Sequence, residues 1–401
     1  MRQMKDSGIE WIGKIPEDWA IERMKSLFTE RNERDCKGRT LLSVSQFWGI
    51  RPKSETDIAD SHIAESYDDY KEVYQGDFVM NIMLAWNGSY AVSEYDGMVS
   101  PAYCVFKFRK GCCKKYFHYL LRTNGYSTAF KTMSRGVIDS RLRLYPEQFY
   151  TFPIIIPSID EQQRIADYLD KKCGEIDSLI ALQEQMIEKL KAYKQSVITE
   201  AVTKGLDPNA KLVPSGIDWI GEIPEGWKVC RIKDLVIMKS GSNLTSEQIA
   251  NEGSYPVYGG NGLRGYYEAY SNEGDYVLVG RQGALCGNIN YAFGRFWATD
   301  HAVVCYPRRN FSLIWFGETL RSMNLGQYSL SAAQPGLSVD RIREKKMPLP
   351  PLSEQQTIAS YLDEKCADID RLIALKQQKI ESLKDYKKSV IYEAVTGKTE
   401  I

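Results

Sequence analysis

The chain has 401 residues, 43% of them hydrophobic and 26% charged, an ordinary globular balance that excludes a collagen, a disordered tail and a disulfide-stapled mini-protein. No apolar run approaches the roughly 20 residues of a membrane span, and residues 1–19 are too polar for a secretory signal, so a cytoplasmic protein without a membrane partner is expected. Nine scattered cysteines without a Cys-x-x-Cys pair fit a reducing compartment, and 52 basic against 52 acidic side chains leave any argument for a polyanionic partner to individual regions.

The first feature is a short box, residues 4–28, which residues 212–236 repeat at 13 of 25 positions, including Trp11 with Trp219 and Trp19 with Trp227. A β-rich stretch follows, with strands predicted at 77–83 and 103–108 between clusters of Gly, Asn and Asp. An amphipathic helix near 116–133 and a polar loop at 134–143 come next. Pro157 then opens a long box that reads as a helix. Asp160 is the expected N-cap with Gln163 three residues on. Leu169, Ile176, Leu190 and Val197 recur at heptad spacing, and Cys173, Ile180 and Ile187 fill the alternating position. Gly205 and Pro208 supply the stop. At about 1.5 Å per residue this is a rod of roughly 65 Å, too long for one globule to bury its stripe.

The same order then repeats. Strands are predicted at 276–279 and 302–306, a helix at 313–323, a polar loop at 329–343 and a second rod after Pro350. Its expected N-cap is Ser353 with Gln356, its stripe is Leu362, Ile369, Leu383 and Val390, and its stop is Gly397. Residues 157–203 align without gaps to 350–396, with 31 of 47 identical. The chain is therefore one unit duplicated.

The expected architecture is α+β: two similar α/β globules separated by two long helices that pair antiparallel as a coiled coil about a pseudo-two-fold axis. The domains expected are a first globule at 1–157, a central helix at 158–204, a second globule at 205–351 and a C-terminal helix at 352–401. Gln183 and Lys376 are polar at a seam position near the middle of each rod. They are expected close to the pseudo-dyad, either fixing the register or lining a solvated gap in the seam.

Cut at these boundaries, residues 20–159 carry a net charge of +3 and residues 228–351 of +4, while the helices at 160–203 and 353–396 carry −3 and −1. Such an excess fits contact with a polyanion and fits a plain solvated surface equally well. Gly260, Gly262 and Gly265 spell G-x-G-x-x-G, but the aromatic run after them reads as a strand, so turn and close-approach glycines are the reading. Gly397-Lys398-Thr399 lacks the first glycine of a P-loop and is a helix stop. Asp170 with Lys172, and Asp363 with Lys365, read as solvated helix surface. Three histidines leave little for metal or relay chemistry, and Asp300 beside His301 is the one suggestive pair, private to the second copy. The chain reads as non-catalytic and without a cofactor of its own.

Three motifs, each present twice and in the same order, resemble the specificity (S) subunits of type I restriction-modification systems over the whole chain. They are the IPxxW boxes at 15–19 and 223–227, the proline plus Glu-Gln-Gln helix starts at 157–163 and 350–356, and the KxSVIxEAVT ends at 194–203 and 387–396. The resemblance implies two target recognition domains, each reading one half of an asymmetric bipartite site in double-stranded DNA, and two conserved helical regions. It also implies a complex with two adenine-N6 methyltransferase (M) subunits and ATP-dependent restriction (R) subunits. S-adenosylmethionine, ATP and Mg would belong to those partners.

Base edges in the major groove are read by Arg on guanine and by Asn or Gln on adenine. Loop placement selects Gln46, Trp48, Arg51, Asn81, Arg135 and Arg141 in the first globule. In the second it selects Asn243, Asn261, Arg264, Arg281, Gln282, Gln334 and Arg341. Two other classes compete with this reading: a scaffold of two β-rich modules on a coiled coil that never meets DNA, and an enzyme with a private site at Asp300 and His301.

Overall fold

The computed structural model describes residues 2–34, 38–55, 67–109, 111–136, 138, 141–283, 285–329 and 336–401. The chain divides into two compact units, residues 1–183 with 379–401, and residues 184–378.

In the first unit the short box forms the hairpin of β1 (Met4–Asp6) and β2 (Lys14–Pro16), then β3 (Ala20–Arg23), a single turn α1 (Met24–Leu27) and β4 (Phe28–Arg31). Seven strands follow: β5 (Leu42–Ser45), β6 (Gly49–Pro52), β7 (Lys71–Val73), β8 (Phe78–Asn81), β9 (Tyr90–Val92), β10 (Gly97–Val99) and β11 (Tyr103–Phe108). Then come α2 (Lys114–Leu121), α3 (Asn124–Met133), the short α4 (Pro146–Phe149), β12 (Pro153–Ile156) and the long α5 (Ile159–Lys204). The centre is an antiparallel sheet in the order β4-β11-β8-β9, with Val105 opposite Val79 and Phe106 opposite Phe78.

Successive side chains on a strand point to opposite faces, and here both faces are buried. Phe78, Met80, Cys104 and Phe106 join Phe117, Phe130 and Phe149 in the main core under the helices. Val79 and Val105 face a smaller core with Leu42, Val44 and Ile50 from the β5–β6 hairpin. This is why the strands read as continuous apolar runs and not as alternating ones. Each fully buried Phe or Val contributes about 1.5–3 kcal/mol.

The second unit repeats the plan. It holds β13 (Leu212–Ile217), β14 (Ile220–Pro224), β15 (Lys228–Arg231), α6 (Ile232–Leu235) and β16 (Val236–Ser240). Next are β17 (Tyr255–Gly259), β18 (Gly262–Tyr267), β19 (Asn272–Glu273), β20 (Tyr276–Gly280), β21 (Ile289–Ala292), β22 (Arg295–Ala298) and β23 (Ala302–Pro307). The last are α7 (Leu313–Ser322), α8 (Val339–Arg343), β24 (Lys346–Leu349) and the long α9 (Leu352–Val395). Its central sheet, β16-β23-β20-β21, has the same order as that of the first unit, and β15 pairs with β24 as β3 pairs with β12. The second layer differs. The first unit has two small hairpin-like sheets, β5-β6 and β10-β7, where the second has one sheet in the order β18-β17-β22-β19.

The expected helix at 116–133 is two helices. Thr123 breaks it, taking an extended ψ of 151° and turning its hydroxyl back to the Leu120 carbonyl at 2.8 Å. The long helices also begin earlier than their expected caps. Asp160 and Ser353 lie inside the first turns, and in α5 the Ser158 hydroxyl accepts the Glu161 N–H at 3.3 Å. The glutamine that matters is the first of the two in each Glu-Gln-Gln. Gln162 donates to the Pro157 carbonyl and accepts the Cys113 N–H, both at 2.9 Å, and Gln355 does the same with Pro350 at 2.9 Å and Ser312 at 3.0 Å.

Within each unit the two long helices pack antiparallel. In the first, Lys387 of α9 bridges Asp177 of α5 at 2.7 Å; in the second, Lys194 of α5 bridges Asp370 of α9 at 2.7 Å. These are the same pair with the roles of the helices exchanged, as a duplicated sequence allows. Leu169, Cys173, Ile176, Ile380, Leu383 and Val390 bury the seam of the first unit, and Ile187, Val197, Leu362 and Ile369 that of the second. Gln183 and Lys376 are half-buried and stand within two residues of the points where α5 and α9 pass from one unit to the other.

Each short box is stapled to a helix start. The Trp19 indole N–H donates to Glu161 at 2.9 Å, and Trp227 donates to Glu354 at 2.9 Å. Against the first staple packs Gly397, past the end of α9, and against the second packs Gly205, past the end of α5, both left-handed with φ of 69° and 73°. Glu161 is 7% exposed and Trp19 1%. Trp19→Phe should therefore cost about 2–3 kcal/mol by taking a donor from a buried carboxylate. A double-mutant cycle on the more exposed Asp177–Lys387 pair should give at most about 1 kcal/mol, shrinking with salt. Urea denaturation at two salt concentrations checks both.

Candidate nucleic-acid interface

In the first unit the loops at the tip of the second layer gather several of the selected residues. Gln46 and Trp48 form the turn between β5 and β6, and Arg51 on β6 stacks over the Trp48 ring at 5.9 Å. The turn is braced. Arg122 donates to the Gln46 and Tyr90 carbonyls, each at 2.7 Å, and Ser45 Oγ accepts the Phe47 N–H at 3.1 Å. Gly88, at φ 93°, lies against Gln46 and against Ser127 of α3. Arg135 and Arg141 are exposed on the segment after α3, where Leu144 donates to the Ile82 carbonyl at 3.1 Å.

Asn81 does not belong with them. It is 4% exposed, and its carboxamide oxygen accepts the Met83 N–H at 3.0 Å, so it closes a turn under the surface and has no edge to offer a base. Sequence reasoning passed over Phe47, which stands at the tip of the same turn and is 82% exposed. The signal was present as an aromatic doublet followed by Gly49, which takes φ 77°. Phe47 and Trp48 line a groove of about 550 Å³ with Lys115, Tyr119, Arg122 and the seam residues Asp177 and Lys387. Asp170, read as solvated surface, holds α2 to α5 by accepting from Lys115 at 2.5 Å and Tyr119 at 2.8 Å.

In the second unit Arg281 and Gln282 leave the end of β20 and line an open groove of about 630 Å³ with Ser240, Leu337, Ser338 and Asp340. The Arg281 guanidinium donates to Ser240 Oγ at 3.1 Å. Asn261 tips the β17–β18 turn, which backs onto the Gln282 and His301 carbonyls through Gly260, and it accepts from Asn288 at 2.9 Å. Arg264 on β18 reaches Ser246 Oγ at 3.3 Å, beside exposed Asn243. Arg341 is exposed on α8. Gln334 lies outside the described residues.

The glycines at 260, 262 and 265 serve the hairpin. Gly262 has φ 95°, and a Cβ on Gly265 would meet the Ala250 carbonyl at 2.4 Å. His301 Nε2 stands 3.9 Å from Asp300, beyond hydrogen-bond reach, and both side chains are over 40% exposed, so the pair has none of the geometry of a relay. Among the described residues no cluster of three or more His, Cys, Asp or Glu could hold a metal ion, and no helix is long and apolar enough to cross a membrane.

His118, on α2 beneath the first face, is a half-buried titratable group of this region. Desolvation first, then the Arg122 charge, push it down to about 4, and its Nδ1 accepts the Val92 N–H at 3.3 Å.

Two units on one scaffold, each carrying its own loop face, define a duplicated recognition protein. Residues 16–192 and 224–385 match the family described as the type I restriction modification DNA specificity domain, and the chain belongs to that family as a specificity subunit. It is 22% identical to the MjaVIII specificity subunit of Methanocaldococcus jannaschii over 97% of this chain and 94% of that one. It is 40% identical to the EcoprrI specificity subunit of Escherichia coli, over 32% of this chain and only 33% of that subunit's length. By fold it is similar to a chain from a structure of complex assembly and conformational transition in the type I R-M system, with TM-score 0.73 and 18% identity over 96% of this chain and 99% of that one. The HsdS subunit from Thermoanaerobacter tengcongensis superposes with TM-score 0.53 and 17% identity, over 96% and 98% of the two chains.

Two outcomes follow for this region. His118 is neutral in the fold, while in the unfolded chain it titrates near the ordinary value of about 6.5. Below that pH the unfolded chain takes up a proton the fold refuses, so stability falls between about pH 6.5 and 4, by on the order of 2 kcal/mol. His118→Asn, which keeps an acceptor for Val92, should flatten that slope by up to one proton in denaturation curves. Asn81→Ala leaves the Met83 N–H unpaired and should cost about 1–3 kcal/mol of stability while leaving the methylated motif in cells unchanged.

Proposed function

We propose that each unit reads one half of an asymmetric bipartite sequence in double-stranded DNA. The duplicated helices set the half-site spacing and dock two adenine-N6 methyltransferase subunits, and the chain itself performs no catalysis. Methyl transfer resides in those subunits, and cleavage in ATP-dependent restriction subunits. S-adenosylmethionine, ATP and Mg belong to these partners. This chain's own glycine run at 260–265 does not fit a nucleotide cofactor, because it turns a β-hairpin and opens no helix whose N-terminus could hold a phosphate.

The observation that carries the reading is the pairing of an identical central sheet order with unlike second layers and loop faces in the two units. A shared scaffold with divergent loops is how one fold presents two specificities. In the first unit Gln46, Trp48, Arg51, Arg135 and Arg141 face the DNA, and Phe47 with them. In the second, Arg281 and Gln282 read from the groove, supported by Asn243, Asn261, Arg264 and Arg341.

Docking of two like partners is supported by exposed apolar side chains that recur at equivalent positions on the long helices of each unit. Leu179, Leu182 and Tyr386 are 47%, 44% and 51% exposed in the first, and their equivalents Leu372, Leu375 and Tyr193 are 47%, 55% and 50% exposed in the second. Large apolar side chains left in the open at the same positions of both copies fit a surface that a partner covers.

The test is to map methylated adenines in cells carrying the intact chain, then with residues 228–351 exchanged for those of another specificity subunit. One half of the bipartite motif should change and the other persist, with the spacer unaltered. A motif that changes in both halves, or in neither, would overturn the reading.

A further inference from the structure

The positive charge of the second globule is confined to one place. Its segments 228–235, 307–310 and 339–346 carry nine basic side chains against three acidic, while the rest of residues 228–351 carries five against seven. The fold brings these segments together. β15 pairs with β24, setting Arg231 directly opposite Lys346, the Ile232 N–H donates to the Lys345 carbonyl at 3.0 Å, and the Arg308 N–H donates to the Leu235 carbonyl at 2.8 Å.

Three cations converge on one carboxylate. Glu344 accepts from Lys233 at 2.8 Å and Arg231 at 3.0 Å, with Arg343, which also bridges Asp340 at 3.4 Å, at 3.8 Å. Arg309 spends its Nε on the Asp234 backbone carbonyl at 3.1 Å, and among the described residues no carboxylate lies within ion-pair distance of Arg309 or Lys346. Like charges set opposite each other across a strand pair oppose folding, so this arrangement costs the chain stability unless an anion completes it. Arg231 and Arg343 are about half exposed, at 50% and 51%, open to such a ligand.

The position says which anion. α8 begins with Val339 and Asp340 in the wall of the groove that holds Arg281 and Gln282, and it ends with Arg343 on Glu344, with exposed Arg341 between. A duplex seated in that groove carries its backbone along α8 onto this cluster. We propose that the surface around Glu344, with Arg231, Lys233, Arg309, Arg343 and Lys346, is a sequence-independent phosphate contact for duplex DNA. It holds the second unit in register while the groove residues read bases. The proposal rests on the DNA-reading function given above and adds the site where the backbone is gripped.

The test uses the full chain in whatever complex it purifies, with the triple variant Arg309→Gln, Arg343→Gln, Lys346→Gln and, as a milder second variant, Lys346→Gln alone. Circular dichroism checks that each is folded. Affinity is measured against KCl for a duplex carrying the motif found by methylation mapping and for one of random sequence. The triple variant should lose about tenfold or more on both duplexes alike, and the slope of log affinity against log salt should become shallower by about 2 to 3, and by about 1 for the single variant.

An unchanged slope, or a loss confined to the motif duplex, would overturn the proposal. So would unaltered duplex binding with loss of a co-purifying protein, which would make the occupant an acidic protein surface. If the domain exchange still changes one half of the motif, such a result removes the phosphate contact alone; if the exchange fails as well, the DNA reading falls with it.

Discussion

An indole N–H has one hydrogen to give, and in each unit the short-box tryptophan gives it to a buried carboxylate at the start of a long helix. That bond ties three things into one corner: the hairpin of the short box, the first turn of one helix, and the glycine that ends the other. Gly397 must approach Pro16, and Gly205 the Glu354 carboxylate, at distances where a Cβ would collide, with the Trp19 and Trp227 rings close behind. The helix that leaves a unit is thus anchored where it starts, and the helix that arrives is anchored where it stops. The first glutamine of each Glu-Gln-Gln, Gln162 or Gln355, adds a further tie, from the helix start to the residue just ahead of α2 or α7.

With the corner held, the central sheet is free to serve as a plain foundation. Its two middle strands are apolar on both faces, packed by helices and aromatic rings on one side and by a small β layer on the other. Nothing in that core depends on the identity of the loop tips. The β5–β6 turn of the first unit and the β17–β18 turn of the second sit in unlike second layers, yet the sheet beneath keeps one order in both.

Much of this was legible in the residues alone. Heptad spacing and turn glycines located both long helices, and the strands at 103–108, 276–279 and 302–306 stand where β-branched and aromatic runs put them. The helix starts were misplaced because Asp160 and Ser353 look like caps locally, while the buried glutamines Gln162 and Gln355 win through contacts more than forty residues away. The split between α2 and α3 escaped a reading by periodicity, since the apolar stripe continues across Thr123 although the backbone does not. Asn81 was chosen for its chemistry, and Phe47 was passed over for the same reason. Only burial separates a carboxamide that closes a turn from one that faces solvent, and only the brace from Arg122 distinguishes a presented aromatic from a loose one.

The sequence by itself determined that the chain is a duplication, that each copy ends in a long helix, and that both copies share a family's motifs. Repeats and periodicity are properties of order along the chain, and they need no knowledge of distant neighbours. The tertiary structure decided which helix end closes which box, which polar side chains are spent inside, and that three cations from two separate segments meet on Glu344. Those are statements about residues far apart in sequence, and charge and burial act through space and not along the backbone.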